Sequence, residues 1–399
     1  MKILILTPQL PYPPQQGTSL RNYHIIRGLA QRHEVTLLSF LEGNQTADPA
    51  AIAPLQALCL RVETVAVPPR SGMKRLWQLV SGRLPDMAHR LYSPVYEIAL
   101  RRVLAESQFD VIQVEGIELA RYMSIIGAAS EARLIFDDHN AETELQRRNF
   151  LTDLGQPRRW VAAAYSWVQV RRLRRFERWA CETADAVVAV SETDKKHLQS
   201  LAPSLQSPVS VIPNSIDVRA YQQPVAPESY DLVFSGKMDY RPNVDAVLWF
   251  AAEVWPLICA ERPSTTWAIV GQKPHPRLEA VQGLPGVTVT GWVEQVQPYL
   301  AGAQVIVMPF RIGSGTRLKL IEAMAAGKAI VSTPIGAEGF PIEHDGELLL
   351  AETAEEMATA VLELLYHPQQ RLRLGRAAQQ FAQRYDWRQV VPLFEKIYT

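Results

Sequence analysis

Apolar and polar positions follow one pattern twice along the chain. Short apolar runs end in proline, glycine or charge, and each leads into a longer segment with apolar residues every three or four positions. The runs read as buried strands and the longer segments as amphipathic helices. In the first half the pattern predicts strands at Lys2–Thr7, Glu34–Phe40, Asp110–Glu115, Arg133–Asp138, Ala186–Ser191 and Val209–Pro213. It predicts helices at Ser19–Arg32 and, longer, from Pro157 to Thr183. After a linker-like stretch, Pro213–Tyr230, the pattern restarts with strands at Asp231–Ser235, Thr266–Val270, Val287–Thr290, Gln304–Met308 and Ala329–Ser332. A helix begins near Ala354, and Trp387–Tyr398 is an amphipathic tail. Strands alternating with helices imply parallel, doubly wound sheets. The expectation is therefore α/β: two tandem Rossmann-like domains, whose carboxyl edges and the cleft they face form the natural ligand site.

Length agrees, since 399 residues exceed what one core usually supports. Lys plus Arg and Asp plus Glu are both 41, so no global field argues for nucleic acid. Cys59, Cys181 and Cys259 lie far apart and form no CxxC, which suggests neither a metal site nor a disulfide framework and fits a reducing cytosol. The N-terminal run is broken at Pro8, too early for a signal peptide. No apolar run approaches the roughly 18 residues that span a bilayer. A soluble cytoplasmic protein is expected.

The segment richest in chemistry runs from Arg311 to Lys328. After the strand ending at Met308 come Gly313, Ser314 and Gly315, a turn in which backbone N–H groups can converge. Thr316 reads as the N-cap of a helix over Leu318–Ala326, stopped by Gly327. A helix N-terminus is an anion site, and Arg317 and Lys319 add positive charge there. Lys319 and Glu322 share a helix face, placing a cation for phosphate beside a carboxylate for a ribose diol. A surface ion pair is the plainer alternative.

Together with Pro11–Arg21, Phe136-Asp-Asp-His-Asn-Ala-Glu142, Val190–Asp194, Val211-Ile-Pro-Asn-Ser-Ile-Asp217, Phe234-Ser-Gly-Lys-Met238, Val289-Thr-Gly-Trp-Val293 and Ser332–Gly339, this turn and helix resemble the GT-B glycosyltransferases, more narrowly the retaining family 4 group. The resemblance spans nearly the whole chain. It implies an N-terminal acceptor-side domain over 1–220, a C-terminal nucleotide-sugar domain over 221–380, and a segment 381–399 crossing back. It also implies that Gly17 lies near the donor phosphates or sugar, that Lys237 meets the diphosphate, and that Glu322 binds the ribose. Gly291, Trp292 and Val293 match the loop that holds the base. Ser314 stands where the family has the first glutamate of its pair, and Pro242 where it has a lysine. The Gly313–Gly315 backbone, Thr316, Arg317 and Lys319 are expected to supply those contacts.

His139 follows a strand among Asp137, Asp138 and Glu142. It reads either as a histidine satisfied by neighbouring carboxylates or, as the resemblance implies, as a group touching the donor sugar near its anomeric centre. A metal held by Asp137, Asp138 and His139 is disfavoured, because adjacent strand side chains point to opposite faces. Arg21, Asn22 and Glu115 are candidates to meet the acceptor, or else ordinary cap and surface residues. Arginines interleave with Trp160, Trp167 and Trp179 between Arg158 and Arg178, and the stretch from Met73 to Tyr96 is similar. Such a helix suits either an anionic membrane or a solvated basic face on the sheet.

The whole reads as a metal-independent, cofactor-free, retaining bacterial hexosyltransferase with catalytic residues His139, Lys237, Lys319 and Glu322. The donor is a nucleotide diphosphate sugar, UDP first, and the acceptor a glycan or lipid-linked molecule of cell-surface polysaccharide or glycolipid synthesis. Peripheral contact with the inner face of the plasma membrane through 158–178 goes with it. A nucleotide-sugar epimerase, favoured by carboxylates converging on His139, and a non-catalytic sugar-nucleotide-binding partner are the alternatives.

Overall fold

A computed structural model describes residues 1–14, 17–41, 49–154, 160–203, 205, 207–313 and 315–399. They divide into two compact units: Met1–Ser215 with Val390–Thr399, and Ile216–Gln389. The first division thus comes before the expected 220, and the return begins after the expected 381. Ile216 N–H donates to Tyr385 O (2.9 Å) and Trp387 N–H to Ile216 O (3.0 Å), which ties both segments into the second unit.

The first unit holds strands β1 (Lys2–Thr7), β2 (Glu34–Leu41), β3 (Arg61–Ala66), β4 (Val111–Glu115), β5 (Arg133–Asp138), β6 (Ala186–Ala189) and β7 (Val209–Val211). Their order is β3-β2-β1-β4-β5-β6-β7, parallel throughout. Strands such as Ile3–Leu6 are apolar without alternation because helices cover both faces. The order reverses between β1 and β4, where a doubly wound sheet opens its ligand crevice.

The second unit repeats the plan with β8 (Tyr230–Ser235), β9 (Trp267–Val270), β10 (Val287–Gly291), β11 (Ala303–Met308), β12 (Ala329–Ser332) and β13 (Leu349–Leu350). These run parallel in the order β10-β9-β8-β11-β12-β13, so the reversal falls between β8 and β11.

Several boundaries differ from the pattern. The first helix spans Gly17–Leu29. The stretch expected as one helix from Pro157 is preceded by a separate helix, Glu142–Leu154, and itself runs Trp160–Thr183; Arg158 and Arg159 lie outside the described residues. Within the expected linker, Val218–Tyr221 forms a 3₁₀ turn. Arg241–Glu261 is a helical run long and apolar enough, by composition, to cross a bilayer, contrary to expectation. Its apolar residues Val244, Val247, Phe250, Val254 and Ile258 are buried in the core of the second unit.

The last helix, Trp387–Tyr398, fastens the chain end to the first unit from Val390 on. Arg133 Nε donates to Ile397 O at 2.9 Å, and His33 Nε2 lies 3.0 Å from Glu395 Oε1. Phe394 is fully buried beneath the Arg21 guanidinium.

Candidate functional site

In the second unit the groups of interest gather at the β8/β11 reversal. β11 is followed by a turn in which Gly313 (φ 126°) and Gly315 (φ 76°) adopt backbone conformations that favour glycine. A Cβ on Gly313 would lie 2.4 Å from Arg317 Nη2, so the glycine also makes room for the guanidinium, which rests over the Phe310 ring at 4.9 Å. Burial holds the Arg317 pKa below its ordinary value. The helix spans Leu318–Ala325, and its N-cap is Arg317 in extended conformation, with no side-chain cap bond. The N-cap assignment to Thr316 is therefore corrected: the chain stays extended one residue further. Ser314 lies outside the described residues.

Lys319 and Glu322 do share a face. Burial pushes the Lys319 ammonium down to about 8, with Glu322 opposing and Arg317 reinforcing the shift. Burial raises the Glu322 carboxyl, while Tyr221 and Lys319 pull it back. Neither is left as a simple ion pair. Lys319 Nζ donates to Asn243 Oδ1 at 3.0 Å, and Asn243 Nδ2 donates to Lys237 O at 2.7 Å. Tyr221 Oη donates to Glu322 Oε1 at 2.9 Å. Asn243 thus joins the loop after β8 to the helix after β11. Sequence reasoning missed both Asn243 and Tyr221, although it stopped at Pro242 next door. Gly236 completes the arrangement: a Cβ there would come 2.1 Å from Lys319 Nζ.

Lys237 itself is half-exposed, 3.6 Å from Asp239 Oδ1. Gly291 ends β10 at φ 71°, and Trp292 beside it is 67% exposed, with Val293 following. A helix N-terminus, a partly buried ammonium and a carboxylate able to accept from a diol make a surface suited to a nucleoside diphosphate.

The first unit has its own cluster at the β1/β4 reversal. Gly17 opens the first helix and is exposed. Arg21, one turn on, is buried. Its Nε and Nη2 grip Asp137 (2.8–3.0 Å), while Nη1 donates to Ile212 O, Pro213 O and Asn214 Oδ1 (3.1–3.2 Å). Asn22 is buried too, 1% exposed. The surface-residue alternative is corrected for both, because the helix turns that edge into the core.

Glu115 ends β4, fully buried, and His139 follows β5 with Nε2 2.7 Å from Glu115 Oε2. Burial pushes Glu115 up to about 7 and Asp137 up to about 6, Arg21 opposing in both cases. Burial also lowers His139, with Asp137 opposing, so its neutral form is favoured. Burial, with Glu177 and Glu142 reinforcing it, raises the Asp138 carboxyl well above the usual carboxylate range. His139 lines a pocket of about 170 Å³ with Thr18, Gly116, Asn140 and Glu142.

Asp137, Glu115 and His139 offer ligand atoms within 4.8 Å of one another, a grouping able to hold a cation. The Arg21 guanidinium already occupies both oxygens of Asp137, which makes a cation there electrostatically costly.

Two family models match this chain: "Glycosyltransferase Family 4" over residues 16–220 and "Glycosyl transferases group 1" over 229–367. The chain belongs to the family 4 glycosyltransferases. It is an enzyme of the transferase class, which decides against the epimerase reading despite the carboxylates around His139.

This glycosyltransferase is 24% identical over 324 residues to the phosphatidyl-myo-inositol mannosyltransferase of Mycolicibacterium smegmatis, covering 78% of this chain and 77% of that protein. A match to an uncharacterised 44.6 kDa protein in the cps region of Klebsiella pneumoniae, also 24% identical, spans 30% of this chain and only 33% of the relative. Among solved structures, sucrose-phosphate synthase of Thermosynechococcus elongatus superposes with a TM-score of 0.72 at 17% identity, covering 100% of this chain and 98% of that one. Anabaena HepE in complex with UDP-glucose gives 0.65 at 17% identity, covering 99% and 98%. Such likeness shows the shared GT-B fold.

The basic helix of the glycosyltransferase has two characters. Ala163, Ser166, Gln169, Leu173, Phe176 and Ala180 are buried, and Arg172 donates to Gln78 O and Leu79 O (3.2 and 2.7 Å), so part of it packs. Trp160, Val161 and Trp167 are exposed on it, with Met73 and Trp77 exposed on the helix Gly72–Ser81. Arg171 lies 3.9 Å over the Trp167 ring.

Proposed function

We propose that this glycosyltransferase moves a hexose, with retention, from a nucleotide diphosphate sugar to a glycan or lipid-linked acceptor in cell-surface polysaccharide or glycolipid synthesis. The second unit binds the donor and the first the acceptor. The observation that carries the reading is the linked set Lys319, Asn243, Glu322 and Tyr221 behind the Gly313–Gly315 turn. Negative charge develops on the departing diphosphate, and Lys319, Arg317, Lys237 and the helix N-terminus are suited to stabilise it without a metal. Glu322 accepts from the ribose diol, and the Gly291–Val293 backbone holds the base. UDP is the first choice of nucleotide, supported by the UDP-glucose complex of the structurally similar Anabaena protein. His139, which lines a pocket in the first unit, meets the donor sugar.

A thermal-shift screen with UDP, GDP, ADP, CMP and dTDP and their sugars, with chelator present, tests this. One sugar nucleotide that raises the melting temperature selectively supports the reading, since a ligand binding the folded state stabilises it by mass action. A flat response to all of them overturns it.

A cytoplasmic enzyme touching the inner membrane face through 158–178 is part of the proposal. Exposed Trp160, Val161 and Trp167 beside exposed Arg171 and Arg174 support it. Co-sedimentation with phosphatidylglycerol vesicles, but not with phosphatidylcholine vesicles, is the expected outcome; equal failure with both removes this part.

A further inference from the structure

A buried hydrogen-bond relay runs from the end of the chain to His139. Gln113 and Glu115 are two apart on β4 and so share a face of the sheet. Tyr398 in the last helix donates its hydroxyl proton to Gln113 Oε1, and Gln113 Nε2 donates to Glu115 Oε1. Glu115 Oε2 then stands 2.7 Å from His139 Nε2. Gln113 and Glu115 are fully buried, and Tyr398 is 5% exposed.

The relay has a direction. At pH 8, above the value of about 7 to which burial raises Glu115, the carboxylate is ionised and only accepts, so the Gln113 amide turns its NH₂ to Glu115 and its oxygen to Tyr398. With one carboxylate oxygen held in this way, the other accepts from imidazole Nε2–H, and Nδ1 keeps its lone pair. Gly116, next to Glu115, lines the pocket, and His139 Nδ1 lies 3.7 Å from the Cβ position of that glycine. Among the described residues the imidazole is bonded to Glu115 and not to Asp137, whose two oxygens accept from Arg21. The charged or titratable groups facing the pair are Arg21 from the first helix, Asp137 from β5, Glu118 from the 3₁₀ turn Ile117–Tyr122, and Tyr398 from the last helix.

We propose that Glu115 is a positioning residue that fixes His139 as the Nε2–H tautomer, with Gln113 and Tyr398 holding Glu115 in place. His139 then presents Nδ1 to the pocket as an acceptor for a sugar hydroxyl and is not a proton donor there. That consequence rests on the proposed placement of the sugar at His139; the tautomer itself does not. It also gives the penultimate residue of the chain a part in setting the site.

The test is long-range ¹H–¹⁵N correlation spectroscopy on the full chain labelled at histidine, with His139→Gln to assign the signal. The wild type is expected to show Nε2–H and an unprotonated Nδ1 at pH 8. In Glu115→Gln, Gln113 still donates to the side-chain oxygen at 115, so the new NH₂ faces the imidazole. The tautomer is expected to invert to Nδ1–H, with the melting temperature recording that the fold survives. Tyr398→Phe releases the relay and is expected to yield a mixture of the two forms. Nδ1–H in the wild type, or an unchanged tautomer in Glu115→Gln, overturns the proposal. If His139→Gln keeps full transferase turnover while the tautomer responds as stated, the positioning stands and the sugar-contact reading of His139 falls.

Discussion

The two sheets reverse their strand order at equivalent places, yet the charged groups there are handled differently. At the β1/β4 reversal, Arg21 is spent on Asp137 and on three acceptors of the 212–214 segment. Glu115 is shared between Gln113 and His139. These charges answer one another, and of this linked set the imidazole of His139, its neutral form favoured, lines the pocket beside Glu118 and Glu142. At the β8/β11 reversal, Lys319 has a neutral amide for its partner and Glu322 a neutral hydroxyl. An ammonium held by an amide retains its appetite for an anion, and burial strengthens that appetite. The lesson is that the first cluster is internally satisfied, whereas the second, on the proposed function, is the one suited to a charged ligand.

The largest effect that could break this contrast is on folding. Arg21→Ala leaves Asp137 buried without its cation, a change that typically costs about 3–5 kcal/mol. Urea unfolding should show a loss of that order. A loss no larger than that of a surface arginine would mean the first cluster is not held by this pair.

The next effect concerns pH. The folded pKa of Lys319, about 8, lies below its ordinary 10.5. The folded protein therefore holds fewer protons than the unfolded chain between those values. The cost of burying the ammonium is present below about 8 and gone above 10.5, so this group adds stability as pH rises through the window. Anion binding runs the other way, since it needs the ammonium. Affinity for UDP should fall about tenfold or more as pH rises through and beyond 8, and Lys319→Gln should bind weakly with a flat profile. A wild-type profile that is flat across this range would assign the phosphate contact to Arg317 and the helix N-terminus.

The smallest effect is expected at Tyr221. Tyr221→Phe removes one bond to Glu322, worth about 0.5–1.5 kcal/mol, and should weaken UDP binding a few-fold. Unchanged affinity would show that Glu322 is oriented by its helix alone.

The sequence made the central strands legible because they are apolar runs with sharp ends. Lys2–Thr7, Arg133–Asp138 and Ala329–Ser332 were read to the residue. Edge strand β3, Arg61–Ala66, was not read, because the partly buried Arg61, Glu63 and Thr64 interrupt its apolar run. Lys319 and Glu322 were legible since helical spacing is local. Their partners were not: Asn243 is 76 residues from Lys319, and Tyr221 is 101 from Glu322. For the same reason Arg21 read as a surface residue, its partner Asp137 lying 116 residues away.

The central claim, that the helix after β11 is the nucleotide site, is tested most directly by calorimetric titration of UDP, with chelator present, into wild type and Glu322→Ala. The account predicts metal-free binding by the wild type and loss of about a hundredfold in affinity in the variant, with an unchanged melting temperature without ligand. Equal binding by both proteins, or none by the wild type to UDP or any other nucleoside diphosphate, would contradict it.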